Sequence, residues 1–292
     1  MLYTPRKQRT LRTVAVVSGF GYWSGQDVQV EFRPAPPHTG VVFVRRDLSP
    51  ARRIPATVFN RVEIPRRTSL RAQGATVEMV EHVLAALAGL RIDNCEVWVD
   101  AVEMPGLDGS SQPFVAALDA AGVVEQAAER PYLIIRELTR LGDEQSWVEA
   151  HPPRQPGLSL MFRLDYGRRN PISRQTFHAL ITPDTFRREL AASRTFLLKS
   201  EAEWLRSQGL GLRAGTQDLL VFDENGLVDN ELRFPNECAR HKTLDLVGDL
   251  ALSGCDLVGQ VVAYRSGHKL NAELVNVLLR ESGLGMTWRQ SA

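Results

Sequence analysis

The chain is poor in cysteine, with Cys95, Cys238 and Cys255 the only three in 292 residues. An odd number of thiols, far apart, argues against a disulfide framework and fits a reducing compartment. No apolar run approaches the ~20 residues a membrane-spanning helix needs. The basic N-terminus, Met1 to Thr10, leads into no apolar stretch with a cleavage site. A cytoplasmic protein without an integral membrane segment is therefore expected. Net charge is nearly absent, 35 basic residues against 34 acidic for +1. An RNA-binding module would need a coherent basic face with exposed aromatics, so no nucleic-acid partner is expected. The short basic pairs Arg45-Arg46, Arg52-Arg53, Arg66-Arg67 and Arg168-Arg169 read as solvated charges, with one or two available to a phosphate. Internal repeats and low-complexity segments are lacking as well.

The composition that remains, 43% hydrophobic and 24% charged, is that of a globular protein long enough for two domains with real cores. From Leu11 to about Ile64, short β-branched runs broken by turn residues predict antiparallel strands and hairpins. The period becomes helical over Val77 to Ala88, stopped by Gly89, and returns to strand over Cys95 to Val99. A second helix is predicted over Ser110 to Ala121, and a polar, aperiodic stretch from Glu125 to Pro131 reads as a linker. Strands follow at Tyr132 to Arg136, Trp147 to Glu149, Ser159 to Leu164 and Thr176 to Ile181. Then come a helix over Pro183 to Leu190, a strand over Asp218 to Phe222 and a long helix over Pro235 to Leu252. The fold class is α+β, in two domains of similar build, 1–127 and 132–292.

The long helix carries His241, Asp245 and Asp249 at successive four-residue steps among apolar residues, within roughly a quarter turn of one another. On an amphipathic helix such a stripe would face water. Here Leu244, Leu246, Val247 and Leu250 cover most other sides, so the ionisable groups must be paired or hold a metal. Glu81-His82 begins another apolar stretch and, taken alone, reads as a buried imidazole beside an acid. Combined with His241 and Asp245, His82 gives two imidazoles and a carboxylate, a set that suits zinc with an open position for water. Glu81 would then stand close enough to take a proton from that water. Protonating a leaving group falls to His268, behind Gly267, with a loop histidine of no consequence as the alternative; Gly267 allows a tight turn or close backbone approach. Asp249 could orient His268 and hold it cationic. Cys238 reads as a buried thiol, with a place in the metal site as the alternative.

These residues and their surroundings resemble the zinc-dependent UDP-3-O-acyl-N-acetylglucosamine deacetylases of lipid A biosynthesis. The resemblance covers nearly the whole chain. It runs through Lys7 to Leu11, Phe32 to Pro36, Val80 to Leu90, Ile92 to Asn94, Glu103 to Ser110, Ser193 to Phe196, Arg240 to Asp245, Gly248-Asp249 and Ser266 to His268. It implies zinc on His82, His241 and Asp245, with iron(II) able to occupy the same donors. It also implies Glu81 as general base, His268 as general acid oriented by Asp249, Thr195 as a hydroxyl holding the oxyanion and Lys242 as a substrate contact beside the metal. Asp165 and Tyr166 are implied near uracil and Arg265 near the diphosphate. The implied fold sandwiches the helices of two α+β domains between two outer sheets, each domain carrying an insert. The second insert, roughly Leu197 to Leu227, would shape an apolar passage for an acyl chain, with Phe196, Leu197, Leu198 and Leu210 as wall residues. The expected partner is a UDP-linked acyl-amino-sugar, bound by a monomer. Two departures stand out: Trp23 replaces an imidazole in the first glycine-rich turn, and Met79 stands where threonine is common.

Overall fold

The computed structural model describes residues 3–283. Its first large sheet has the strand order Ala15–Phe20, Asp27–Pro34, Cys95–Val99, Val41–Arg45, Arg52–Pro55. Alternation sets its faces: Val28, Val30 and Phe32 are buried while Gln29 and Glu31 turn the other way. The second sheet runs Thr139–Gly142, Trp147–His151, Asp256–Tyr264, Leu158–Asp165, Arg174–Leu180, with Tyr132–Ile134 added beside Asp256–Tyr264. The two sheets share one plan: two hairpins flank a strand that arrives later in the chain. That late strand, Cys95–Val99 or Asp256–Tyr264, is antiparallel to the first hairpin and parallel to the second.

Among the described residues, six α-helices accompany the sheets: α1 (Glu81–Gly89), α2 (Gln112–Ala121), α3 (Pro183–Thr185), α4 (Lys199–Ser207), α5 (Glu237–Ala251) and α6 (His268–Glu281). In each half one helix precedes the late strand and one follows it, α1 and α2 around Cys95–Val99, α5 and α6 around Asp256–Tyr264. Two three-stranded sheets add to this frame. One joins Arg61–Val62, Ser69–Ala72 and Ala75–Glu78; the other joins Phe196–Leu198, Leu220–Asp223 and Gly226–Leu227.

Several boundaries differ from the sequence reading, for physical reasons. The helix expected from Val77 begins at Glu81, because Ala75–Glu78 pairs with Ser69–Ala72 and Met79 then turns to a left-handed φ of 57°. The helix expected from Ser110 begins at Gln112, since the Ser110 amide and hydroxyl both donate to Asp108 Oδ1 in a turn. The stretch read as a linker is mostly a strand, Val123–Glu129, which pairs antiparallel with Lys7–Leu11. Pro183 to Leu190 divides into the single turn of α3 and a π-helical turn, Phe186–Leu190. Val41–Arg45 takes a parallel partner, which a reading of local hairpins did not foresee. The strand Asp256–Tyr264 and helices α4 and α6 were not anticipated.

Helix α1 is apolar all round, with Val83 to Leu87 at most 1% exposed, so it is buried from every side. It packs against α5. At the crossing, a Cβ on Gly248 would stand 2.2 Å from the Glu81 carbonyl oxygen and 3.1 Å from its Cα. Backbone meets backbone there, and only glycine permits it. A half-buried ionic seam also ties the halves together. Arg6 pairs with Asp93 and Asp256, each at 2.7 Å, and Arg130 reaches the same two carboxylates at 3.1 and 3.4 Å.

Glycine at position 248 costs α5 about 1 kcal/mol of helix propensity relative to alanine. Gly248→Ala should nonetheless destabilise by about 1–3 kcal/mol in denaturant unfolding, because the clash is with backbone that cannot rotate away. Gly267→Ala should stay within about 0.5 kcal/mol of native, since its φ of −141° is extended and a Cβ there meets nothing within 4 Å. A native-like midpoint for Gly248→Ala would show that the crossing tolerates a wider spacing.

Candidate active site

The crossing of α1 and α5 brings together side chains about 160 positions apart in the chain. His82 Nε2 lies 3.6 Å and His241 Nε2 3.4 Å from the same oxygen, Asp245 Oδ1. The ligand atoms of these three residues all lie within 4.8 Å of one another, and each residue is 5% exposed or less. The imidazoles meet edge to face, their centroids 5.1 Å apart. His241 Nδ1 donates to the Ser193 carbonyl at 3.0 Å, which orients the ring so that Nε2 faces the cluster. Asp245 Oδ2 accepts from Lys242 Nζ at 2.7 Å. Asp245 Oδ1, the oxygen both imidazoles face, is buried without a hydrogen-bond partner, which is costly unless a cation takes up its lone pair. Two nitrogens and a carboxylate oxygen at this spacing fit a divalent transition metal.

Burial and charge tune the site in opposite senses. Burial pushes His241 down to about 4, keeping the imidazole neutral and able to ligate. Burial alone would raise Asp245, but Lys242 and His241 outweigh it and hold the carboxyl well below its usual range. Glu81 is raised, chiefly by burial. Burial opposes protonation of His268, yet the charge and hydrogen bond of Asp249 prevail and raise the imidazole to about 9.

His268 is the first residue of α6, not part of a loop. Gly267 before it has extended backbone, so neither a tight turn nor close approach explains that glycine. His268 Nδ1 lies 2.9 Å from Asp249 Oδ2, which also accepts from Asn271 Nδ2 at 2.8 Å. Asn271 in turn accepts from the Ser266 hydroxyl at 2.6 Å. Thr68, wholly buried, donates its hydroxyl to Asp249 Oδ1 at 2.6 Å and its amide to Glu81 Oε2 at 2.9 Å. Thr68 and Asn271 carry no periodic signal in the sequence, and only the fold reveals them.

The motif Ser193 to Phe196 is anchored by a buried ion pair. Arg194 and Glu237, 6% and 0% exposed in their side chains, meet at 2.8 Å, and Glu237 also receives the Arg194 amide. This clamps the segment to the first turn of α5. It presents the Ser193 carbonyl to His241 and leaves Thr195 on the cavity wall. The cavity, of about 1290 Å³, exceeds the roughly 300–1,000 Å³ of ordinary small-molecule sites. Glu81, His82, Thr195, His241, Lys242, Asp245 and His268 all line it, whereas Asp249 stands behind His268.

From the cluster an aromatic row leads outward, Phe196 lying edge to face with His241 at 6.2 Å and with Tyr166 at 6.0 Å. Asp165 and Arg265 line the same cavity. Both Asp165 oxygens are engaged, by Arg174 Nε and the Gly167 amide on one and the Tyr264 hydroxyl on the other, and its carboxyl is lowered chiefly by Arg174. Leu197, Leu205, Leu210, Leu219, Val221 and Val228 line the same cavity. Leu198 does not line it and packs instead on the core. Trp23 lines the cavity under the Arg67 guanidinium, 4.6 Å from its ring centroid, and its amide donates to buried Glu103. Cys95, Cys238 and Cys255 are free and buried, outside the metal-ligand cluster, and burial pushes the Cys95 and Cys238 thiols up to about 12.

Comparison with known proteins identifies the family. Residues 8–280 match the LpxC family model, UDP-3-O-acyl N-acetylglycosamine deacetylase. The chain belongs to this deacetylase family. A relative from Shewanella sp. (strain W3-18-1) is 38% identical over 278 residues, 94% of this chain and 90% of its own length. Relatives from Shewanella baltica (strain OS155 / ATCC BAA-1091) and Shewanella sp. (strain ANA-3) are 38% and 37% identical over the same extent. All three carry the name UDP-3-O-acyl-N-acetylglucosamine deacetylase. Among the described residues of this deacetylase-family chain, no helix is long and apolar enough to cross a membrane.

Because His268 is raised above its unfolded value of 6.5, its protonated form contributes stability that is complete below about pH 6.5 and lost as the pH rises through about 9. Denaturant unfolding on both sides of that window should show the native protein's advantage over His268→Gln on the acid side and its disappearance on the alkaline side. An advantage that grows with pH would mean that His268 is neutral in the fold.

Proposed function

We propose that this protein hydrolyses the N-acetyl group of UDP-3-O-acyl-N-acetylglucosamine in lipid A biosynthesis, releasing acetate. The observation that carries this reading is one cavity lined by His82, His241, Asp245, Glu81 and His268 together with a set of leucines and valines. Zinc is the metal this reading favours, with iron(II) compatible with the same donors. His82, His241 and Asp245 would hold it, and when bound it supplies Lewis-acid polarisation of the amide carbonyl and of water.

The remaining chemistry belongs to the chain. Glu81, raised by burial, takes a proton from the attacking water. Oxygen bonds to the acetyl carbon and the C–N bond breaks. His268, held protonated by Asp249, gives its proton to the departing amine, so acetate and a free amine are the products. Thr195 offers a hydroxyl to the developing oxyanion. Lys242 holds Asp245 and adds positive charge beside the substrate. Phe196 packs against the sugar, Asp165 and Tyr166 sit toward uracil, and Arg265 meets the diphosphate as a guanidinium suited to phosphate. The leucines and valines of the cavity wall take the acyl chain.

This reading includes the architecture. Residues 1–127 and 132–292 are taken as two α+β domains, their helices enclosed between the two large sheets. The three-stranded sheets are their inserts, the second at about 197–227. The shared strand order of the large sheets and the α1–α5 packing support it. The protein is taken to act as a cytoplasmic monomer.

Purified protein should contain about one zinc or iron per chain and release acetate from the UDP-linked substrate. A chelator should abolish turnover and added zinc restore it. Glu81→Ala should lower kcat by about 10²–10⁴-fold. Substrates graded by acyl length should separate in kcat/KM, whereas a flat series would remove the acyl-passage role. Full activity in Glu81→Ala, or purified protein without metal, would overturn the mechanism.

A further inference from the structure

We infer that Thr68 is a positioning residue for the reaction: its hydroxyl fixes the Asp249 carboxylate and, through it, the His268 imidazole. The inference rests on the deacetylase reading, in which Thr68 has no part.

Among the described residues, Thr68 is the one bound both to the proposed base and to the carboxylate that orients the proposed acid. Its amide donates to Glu81 Oε2 at 2.9 Å, its carbonyl accepts from the Val80 amide at 3.2 Å and its hydroxyl donates to Asp249 Oδ1 at 2.6 Å. Backbone groups on both sides of its Cα are thereby tied to the start of α1, and a β-branched side chain has few χ1 choices left. The hydroxyl is held in place before it meets Asp249. Thr68 and Asp249 are each 0% exposed, so no solvent competes for the bond. Its short length is that of a charge-assisted hydrogen bond.

The consequence is rotational. A carboxylate with donors on only one oxygen turns about its terminal torsion, which is broad and roughly two-fold. With Oδ1 held by Thr68, Oδ2 is directed at His268 Nδ1 and Asn271 Nδ2, at 2.9 and 2.8 Å. The imidazole is then aimed along with the carboxylate. On the other side, the amide occupies Glu81 Oε2, and among the described residues Oε1 has no protein donor, leaving it free to accept a proton. A single buried threonine thus sets the base and the acid in register from between the two halves.

Thr68→Val keeps the amide, the branching and the volume and removes only the hydroxyl donor. It should lower kcat by about tenfold or more, with KM and metal content unchanged, because the lost bond is to a charged group. Thr68→Ser should recover most of the loss. In an Asp249→Ala background, Thr68→Val should cost less than about twofold, the non-additivity of residues acting through one another. A proton readout is independent of turnover: the downfield His268 Nδ1–H resonance should move in Thr68→Val and return in Thr68→Ser. Native kcat in Thr68→Val, an equal loss in the Asp249→Ala background, or serine performing no better than valine would overturn the role of Thr68 alone. If the native protein releases no acetate, the deacetylase reading fails instead, and an unmoved His268 resonance still decides against Thr68.

Discussion

Everything at the candidate site depends on how closely α1 and α5 approach. Helix axes ordinarily pack 8–10 Å apart, with side chains filling the gap. Gly248 removes the side chain at the crossing, and the α5 backbone comes to rest on the Glu81 peptide. Glu81 and His82 open α1, while His241, Asp245 and Asp249 line the face of α5 around the same point. A wider crossing would separate two imidazoles and a carboxylate that now lie within 4.8 Å. Burial of the apolar surface of α1 provides free energy that maintains this approach.

Burying so many ionisable groups would be ruinous if they were unpaired. Here each is matched, and what is left unmatched is informative. Lys242 satisfies one oxygen of Asp245, Ser193 one nitrogen of His241, and three donors converge on Asp249. Within the cluster, Asp245 Oδ1 is the oxygen left without a partner, and both imidazoles face it. The same burial drives Glu81 upward and His241 downward, while the negative charge of Asp249 drives His268 upward. Neighbouring groups with environments this different are suited to opposite proton-transfer roles.

Much of this was legible beforehand. The four-residue spacing of His241, Asp245 and Asp249 on an apolar helix marked a polar stripe needing partners, and Glu81-His82 supplied them from the other half. The α+β class followed from alternating and helical periods. The resemblance to the deacetylases brought in Thr195, Lys242 and the nucleotide-side residues, which no periodicity marks. Errors fell where long-range pairing overrides local pattern. Val77 and Glu78 look helical but pair with Ser69–Ala72, and Val123–Glu129 looks like a linker but pairs with Lys7–Leu11.

The sequence alone determined which chemical groups were available and which helices would be buried, because residue type and period are properties of a local segment. Tertiary structure decided which groups share an oxygen, which glycine matters and what aims the acid. Gly248 and Gly267 look alike on the page, yet one lies against backbone and the other faces open space. Thr68 has no distinguishing neighbour in sequence and acquires its place only when strands and helices from both halves close around it. Such contacts depend on distances between segments far apart in the chain, and those distances are set by packing of the whole fold.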